Sequence, residues 1–248
     1  MFDYNLYENY LKTQQFGRHL KYFQSIPSTN EQAKVYAKND FKHGYALITK
    51  NQYSGKGRRS NIWFAVPNKS LTFSIMINQK ELNNKEIIPL ILGLSIIDTI
   101  KDYTNINCQL KWPNDIILNQ KKIGGILIEK INDILIIGIG INVNENIKDL
   151  NKNIKNTSTS LNIFGSIKIE LEILFAYILN NLENYFYTKK IDFINEWNKH
   201  CCHINKEIKF HNNNRYESGL FKGVNSNGQG IVHINDKIEL ISSGMINL

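Results

Sequence analysis

Gln52-Tyr-Ser-Gly-Lys-Gly-Arg-Arg-Ser-Asn-Ile-Trp-Phe64 packs two glycines, three cations and an indole into one short stretch. The segment before it, Tyr45-Ala-Leu-Ile-Thr-Lys50, reads as a strand. The segment after it, Ser70-Leu-Thr-Phe-Ser-Ile-Met-Ile77, reads as another, with β-formers in near alternation. The charged stretch is therefore a loop between strands. Gly55 and Gly57 let its backbone turn and approach a ligand closely, and successive N–H groups in such a turn can form an anion-binding concavity. Lys56, Arg58 and Arg59 add positive charge, and arginine forks two donors on to one phosphate or carboxylate. Trp63 offers a flat face to a base or a cation. A solvated basic turn would have the same composition, so the loop alone does not decide. It is also a near-miss for G-x-G-x-x-G, with Ser60 at the third glycine, but that fingerprint opens a helix and here a strand follows. The dinucleotide reading is rejected, and the P-loop pattern does not match.

On the N-terminal side, a short strand is expected at Tyr22-Phe-Gln24. Ser28 or Thr29 can cap a helix from Asn30 to about Lys38, with Glu31 or Gln32 completing a capping box. An ordinary cap explains those residues, yet a helix N-terminus with free hydroxyls can also hold a ligand's polar head. On the C-terminal side, apolar residues at helical spacing predict a core helix from about Asn84 to Tyr103. Leu110-Lys-Trp-Pro-Asn-Asp-Ile-Ile-Leu118 reads as a strand broken by Pro113, with Lys111, Asn114 and Asp115 set between apolar runs. Two strands follow, joined by a hairpin turn at Asn132-Asp133. Glycines 124, 125, 138 and 140 inside those strands indicate that something approaches the backbone closely. Residues 145–166 read as a loop, or a loop with a short helix, and Ile167 to Tyr187 and about Ile191 to His200 as helices. From Ile204 short strands and polar turns describe a small β-barrel appended to an α/β body.

The 248 residues suffice for one large domain or one plus a small one. A formal charge of +8 suits an anionic partner without choosing among nucleotide, nucleic acid, acidic protein and membrane surface. Three cysteines without C-x-x-C suit a reducing compartment. His200-Cys-Cys-His203 looks metal-like, but contiguous ligands do not readily close around one ion, so no protein-bound metal is expected. No signal peptide and no membrane span is read, so the expectation is a soluble cytoplasmic protein.

Assembled in order, S-T-N at 28–30, Q-x-x-G-K-G-R-R-S-x-x-W at 52–63, K-W-P-N-D at 111–115, K-x-G-G-I-L-I-E at 122–129 and G-I-G-I-N at 138–142 resemble the biotin protein ligases. The resemblance extends over nearly the whole chain from about residue 22. Two positions depart from it: Lys56 stands where the family has arginine, and Ser60 where it has glycine. The resemblance implies an α+β fold, a mixed β-sheet flanked by helices related to class II aminoacyl-tRNA synthetases and lipoate ligases. A catalytic domain at 1–203 and an SH3-like β-barrel at 204–248 are implied, of the monofunctional type without a DNA-binding domain.

It further implies biotin and ATP as substrates, with Mg²⁺ carried by ATP. The product is biotin on a lysine of a biotin carboxyl carrier domain of acetyl-CoA carboxylase or a related carboxylase. Biotin is assigned to Ser28, Thr29, Asn30, Gln52, Gly55, Lys56, Gly57, Arg58, Lys122 and Gly125. The nucleotide is assigned to Lys56, Arg58, Arg59, Trp63, Asn114, Lys122 and Asn142, with Lys122 as main catalytic cation beside Arg58, Lys111 and Asp115. A homodimer is compatible with all of this. A lipoate ligase shares the scaffold, but its dithiolane does not call for so polar a pocket. A nucleic-acid-binding regulator would suit the charge, yet no recognition helix or aromatic–basic stripe is read, and no specific nucleic acid is expected.

Overall fold

Ser70 to Asn78 alternates Leu71, Phe73, Ile75 and Ile77 with Thr72, Ser74 and Met76, and the fold buries both faces of that run. The computed structural model describes residues 2–212, 215–235 and 237–242. The chain begins with α1 (Tyr4–Tyr10), β1 (Leu20–Phe23), α2 (Thr29–Asn39) and β2 (Tyr45–Thr49). The basic loop holds a small hairpin, β3 (Gly55–Lys56) with β4 (Ile62–Trp63), and leads into β5 (Ser70–Asn78). Then come α3 (Ile88–Thr104), β6 (Gln109–Lys111), β7 (Asp115–Leu118), β8 (Lys121–Ile131) and β9 (Ile134–Asn142). The remainder is α4 (Leu161–Gly165), α5 (Leu171–Tyr187), α6 (Phe193–His200), β10 (Glu207–Asn212), β11 (Arg215–Val224), β12 (Gly230–Ile234) and β13 (Lys237–Ile241).

Seven strands form one sheet in the order β1-β2-β5-β9-β8-β7-β6, parallel only between β1 and β2. Alternation sorts its two faces. Leu71, Phe73, Ile75 and Ile77 of β5 join Leu135, Ile137, Ile139 and Ile141 of β9 in a core with α3 and α5. On the other face, Met76 and Ile136 pack under Ala33 and Ala37 of α2. Beyond the N-terminus of α2 that face carries polar or absent side chains, because Ser74 sits beside Gly138 and Thr72 beside Gly140. The hollow left there is where the site lies.

Some elements differ from their sequence reading. The helix expected from Asn84 begins at Ile88, because Asn84 takes the left-handed conformation at φ 55° while Pro89 suits a first turn. The 110–118 stretch is a hairpin, with Lys111 opposite Asp115 and the turn at Trp112-Pro113-Asn114. Its turn is pinned by the buried Trp112, whose Nε1 donates to Gly228 O at 3.1 Å. The tail forms an antiparallel sheet in the order β10-β11-β12-β13. The N-terminal segment contributes α1 and the turn that follows it. It lies along α5, where Glu183 accepts the backbone N–H groups of Gln14, Gln15 and Phe16.

Just past β9 the chain buries Glu145 completely. Ser70 hydrogen-bonds its Oε1, while Oε2 has no partner among the described residues. Burial lifts this carboxyl to about 7, although hydrogen bonds from Ser70 and nearby backbone pull the other way. An unperturbed group titrates near 4.5. Between those values the folded chain keeps a proton that the unfolded chain has released, so stability falls as pH rises through the window. Glu145→Gln retains the shape and cannot ionise. We expect it to match the parent at pH 4 and to exceed it by about 3 kcal/mol at pH 8, as read by urea unfolding. A stability gap of equal size at both pH values would refute the assignment.

Candidate active site

A cavity of about 320 Å³ occupies the hollow above β5, β9 and β8. Its closed end is polar. Ser28 caps α2, its side chain accepting from Glu31 N, which sets Thr29 and Asn30 on the first turn facing the sheet. Gln52 Oε1 accepts from Thr29 N at 2.8 Å and lies 3.2 Å from Thr29 Oγ1. Ser74 Oγ lies 2.7 Å from Thr29 Oγ1 and 2.6 Å from Asn30 Oδ1. Gly138 is required beneath them, since a Cβ there would stand 2.2 Å from Asn30 Oδ1. Gly140 admits Trp63 in the same way, with a Cβ falling 2.4 Å from the indole Cε2. The close approach expected at these strand glycines is thus made by the protein's own side chains, which line the cavity in turn.

The open end is cationic. Lys56, Arg58, Arg59, Lys111 and Lys122 line it, and Asp115 is the single carboxylate among the described lining residues. Arg58 Nη1 donates to Asn114 Oδ1 at 3.2 Å, and Asn114 Nδ2 donates in turn to Ile126 O at 2.8 Å. The loop is thereby joined through the β6–β7 turn to β8. Lys56 reaches back to Glu31 on α2 at 2.9 Å. Hydrogen bonds from Lys34, and then from Lys56, hold the Glu31 carboxyl below its usual range.

Lys122 owes its place to an irregularity. Strict alternation would put residues 122 and 125 on opposite faces. The β7–β8 register shifts between Ile116 and Ile117, whose partners are Gly124 and Lys122, and this bulge turns Lys122 on to the cavity side. Its ammonium lies 3.3 Å from where a Cβ on Gly125 would be and 2.6 Å from Asp115 Oδ1.

The structure brings most of the expected site residues to this one cavity. Ser28, Thr29, Asn30, Gln52, Lys56, Gly57, Arg58, Arg59, Trp63, Lys111, Asn114, Asp115, Lys122 and Gly125 all line it. Two do not. Gly55 is buried against Gln52 and Trp63. Asn142 donates to Thr159 O at 3.0 Å and lines a separate cleft walled by Val66, Leu150 and Ile154. Three further residues belong to the site. Ser74 and Thr72 are the hydroxyl positions of the β5 alternation, a signal present in the sequence but read there only as strand periodicity. Glu129, the last residue of the K-x-G-G-I-L-I-E block, accepts from Asn30 Nδ2 at 2.9 Å. Thr72 Oγ1 and Trp63 Nε1 are buried without a partner among the described residues, and both line the cavity. Unpaired buried polar atoms are costly, and a bound ligand would satisfy them.

The sequence model of the biotin/lipoate A/B protein ligase family matches residues 22–146. The chain is 27% identical over 253 aligned positions to the bifunctional ligase/repressor BirA of Bacillus subtilis, covering 96% of this chain and 76% of that protein. It is 32% identical over 176 positions to the BirA of Bacillus spizizenii, covering 68% of this chain and 54% of the relative. In three dimensions it matches the biotin protein ligase from Aquifex aeolicus in complex with biotin and ATP, with a TM-score of 0.81 and 28% identity. That match covers 93% of this chain and 98% of the other.

Proposed function

The chain belongs to the biotin/lipoate A/B protein ligase family, and from that membership we propose that it joins biotin to a lysine of a carboxyl carrier protein at the expense of ATP. One observation carries the reading beyond family: a single cavity has a closed, neutral, hydrogen-bonding end and an open, cationic end. Biotin has the complementary shape, with a cyclic urea that donates and accepts hydrogen bonds and a carboxylate at the end of an aliphatic chain. A dithiolane would leave the cavity-lining Thr29, Asn30 and Gln52 without ligand partners, which favours biotin over lipoate.

A carboxylate is a poor acyl donor because its leaving group would be oxide. In the first step a biotin carboxylate oxygen attacks the α-phosphorus of ATP, and pyrophosphate leaves. In the second, a carrier lysine amine attacks the acyl carbon of the resulting anhydride, and AMP leaves. Both steps are problems of positioning and charge. Lys122 lines the cationic end, where carboxylate and α-phosphate would meet, and Arg58 reaches the same end from the basic loop. Lys111 and Asp115, paired across the β6–β7 hairpin, line that same end, where they would meet the incoming amine. ATP carries Mg²⁺, and one carboxylate, Asp115, fits an ion held chiefly by phosphate oxygens. Bound there, the ion would neutralise charge on the departing pyrophosphate. Trp63 supplies an aromatic wall for adenine.

We assign both steps to residues 1–203, with Gly228 of the 204–248 region bracing the β6–β7 turn through Trp112; of that region, residues 213, 214, 236 and 243–248 lie outside the described structure. The acceptor is a biotin carboxyl carrier domain of a carboxylase. No helix among the described residues of the ligase is long and apolar enough to cross a membrane. Pyrophosphate release is expected only with biotin, ATP and Mg²⁺ together. Equal or faster release with lipoate in place of biotin would overturn the substrate assignment.

A further inference from the structure

Four polar side chains at the closed end of the cavity share too few protons to be arranged arbitrarily, and one carboxylate outside the cavity decides the arrangement. Glu129 sits on β8 opposite Ile136, on the face that α2 covers. One of its oxygens accepts from Asn30 Nδ2 at 2.9 Å and the other from Lys34 Nζ at 2.6 Å. Asn30 and Lys34 are one helical turn apart, so both reach the same carboxylate. Lys34 also holds Glu31, which holds Lys56 of the basic loop.

An ionised carboxylate accepts hydrogen bonds and donates none. The NH₂ group of Asn30 must therefore face Glu129, and its oxygen must face Ser74. That oxygen lies 2.6 Å from Ser74 Oγ, so the single Ser74 proton is committed to it. The 2.7 Å contact between the Ser74 and Thr29 hydroxyls is then a hydrogen bond only if Thr29 supplies the proton. Polarity thus runs from Thr29 to Ser74 to Asn30 to Glu129. It leaves hydroxyl lone pairs turned to the cavity as acceptors, while Gln52, whose oxygen is occupied by Thr29 N, keeps its NH₂ as donor.

We infer that Glu129 is a positioning residue that fixes this hydrogen-bond polarity and thereby makes the closed end select a ring bearing N–H donors beside a carbonyl acceptor. The inference rests on the biotin-ligase reading and deepens it. With glutamine at 129, either end of its amide can meet Asn30, the asparagine keeps its orientation only through the longer 3.4 Å bond from Nδ2 to Leu127 O, and the hydroxyls lose most of their fixed direction. Binding at the ring end weakens, whereas the cationic end is untouched.

The test is Glu129→Gln beside Lys34→Gln. The second variant removes the ion pair but leaves the carboxylate facing Asn30. For E129Q we expect the biotin KM to rise about tenfold, the change produced by mispairing one buried polar contact. The ATP KM and kcat are expected to stay within about twofold. K34Q should leave the biotin KM within about twofold, as the loss of a part-exposed ion pair does. E129D, which keeps the acceptor-only group, should recover part of the loss. Biotin binding to the free protein by calorimetry, which needs neither ATP nor turnover, should weaken in parallel. A parental biotin KM in E129Q, an equal rise in K34Q, or an equal rise in the ATP KM would each overturn the role. A variant that folds poorly still reports, because the ratio of the two KM values is internal to one preparation. Failure of the parent to bind biotin or release pyrophosphate would refute the function itself.

Discussion

Lys122→Ala is expected to slow adenylate formation about a hundredfold at saturating biotin and ATP, with biotin binding little changed. The bulge in β8 places this ammonium over Gly125 and within 2.6 Å of Asp115. A part-exposed ion pair of this kind contributes little to folding, so its value lies in what the cation can do when substrates enter. While the carboxylate attacks, negative charge moves on to the α-phosphate oxygens and the departing pyrophosphate. A fixed cation that strengthens its contact during that shift lowers the barrier more than it lowers the energy of bound substrate. Loss of one such contact costs about 3 kcal/mol, which is the hundredfold. Orphaning Asp115 in the variant would be a competing cause of damage. The double variant Lys122→Ala, Asp115→Asn separates the two, since it removes the orphan without restoring the cation. We expect it to be at least as slow as the single variant in single-turnover measurements. Recovery in the double variant would reduce Lys122 to a partner of Asp115, and an unchanged single-turnover rate in Lys122→Ala would remove it from the reaction.

The site was legible in the sequence where it rested on local chemistry. Two glycines among cations announced a loop that could hold an anion, and glycines within strands announced close approach. What filled the space above Gly138 and Gly140 was not legible, because Asn30 and Trp63 reach those glycines only through the register of β5 against β9 and the start of α2. Lys122 shows the same limit more sharply. Its face is set by a bulge, and a two-residue period read along the strand assigns it to the wrong side. Asn142 follows the alternation correctly, on the face of Gly138 and Gly140, yet its amide is taken by Thr159 and it lines a neighbouring cleft. Glu129 and Glu145 are ordinary acidic residues in sequence. One is defined by a helix that crosses above it and the other by complete burial after β9, and neither circumstance has a one-dimensional trace. The turn at 112–114 was read as an interrupted strand for a similar reason: only the docking of Trp112 on the C-terminal sheet shows that the chain reverses there.

Arg58→Gly is expected to leave adenylate formation largely intact while the adenylate escapes. Arg58 is half-buried and joins the basic loop to the β6–β7 turn through Asn114, which is itself fixed to Ile126 by a 2.8 Å hydrogen bond from its side chain and a 3.0 Å bond to its carbonyl. Among the described residues no carboxylate forms an ion pair with Arg58, so a bound anion would be its first full charge partner. Elsewhere the loop is held by little. Ile62 and Tyr53 are exposed, β3 and β4 are two residues each, and the Lys56–Glu31 pair is open to water. Glycine at 58 removes the tie to Asn114 and the charge-assisted contact together, and it adds backbone freedom to a segment already containing Gly55 and Gly57. Lys122 and Lys111 are left in place, so the first step retains cations at the phosphates. The second step suffers, because a mixed anhydride kept from water and from stray amines only while the loop is closed is released before the carrier lysine arrives. Free adenylate acylates lysines without discrimination. With albumin added to biotin and ATP in the absence of carrier, biotin on albumin should rise by about tenfold or more over the parent, the scale of one lost charge-assisted contact. Total pyrophosphate release should hold within a fewfold. Parental albumin labelling alongside normal adenylate formation would show that Arg58 does not retain the intermediate.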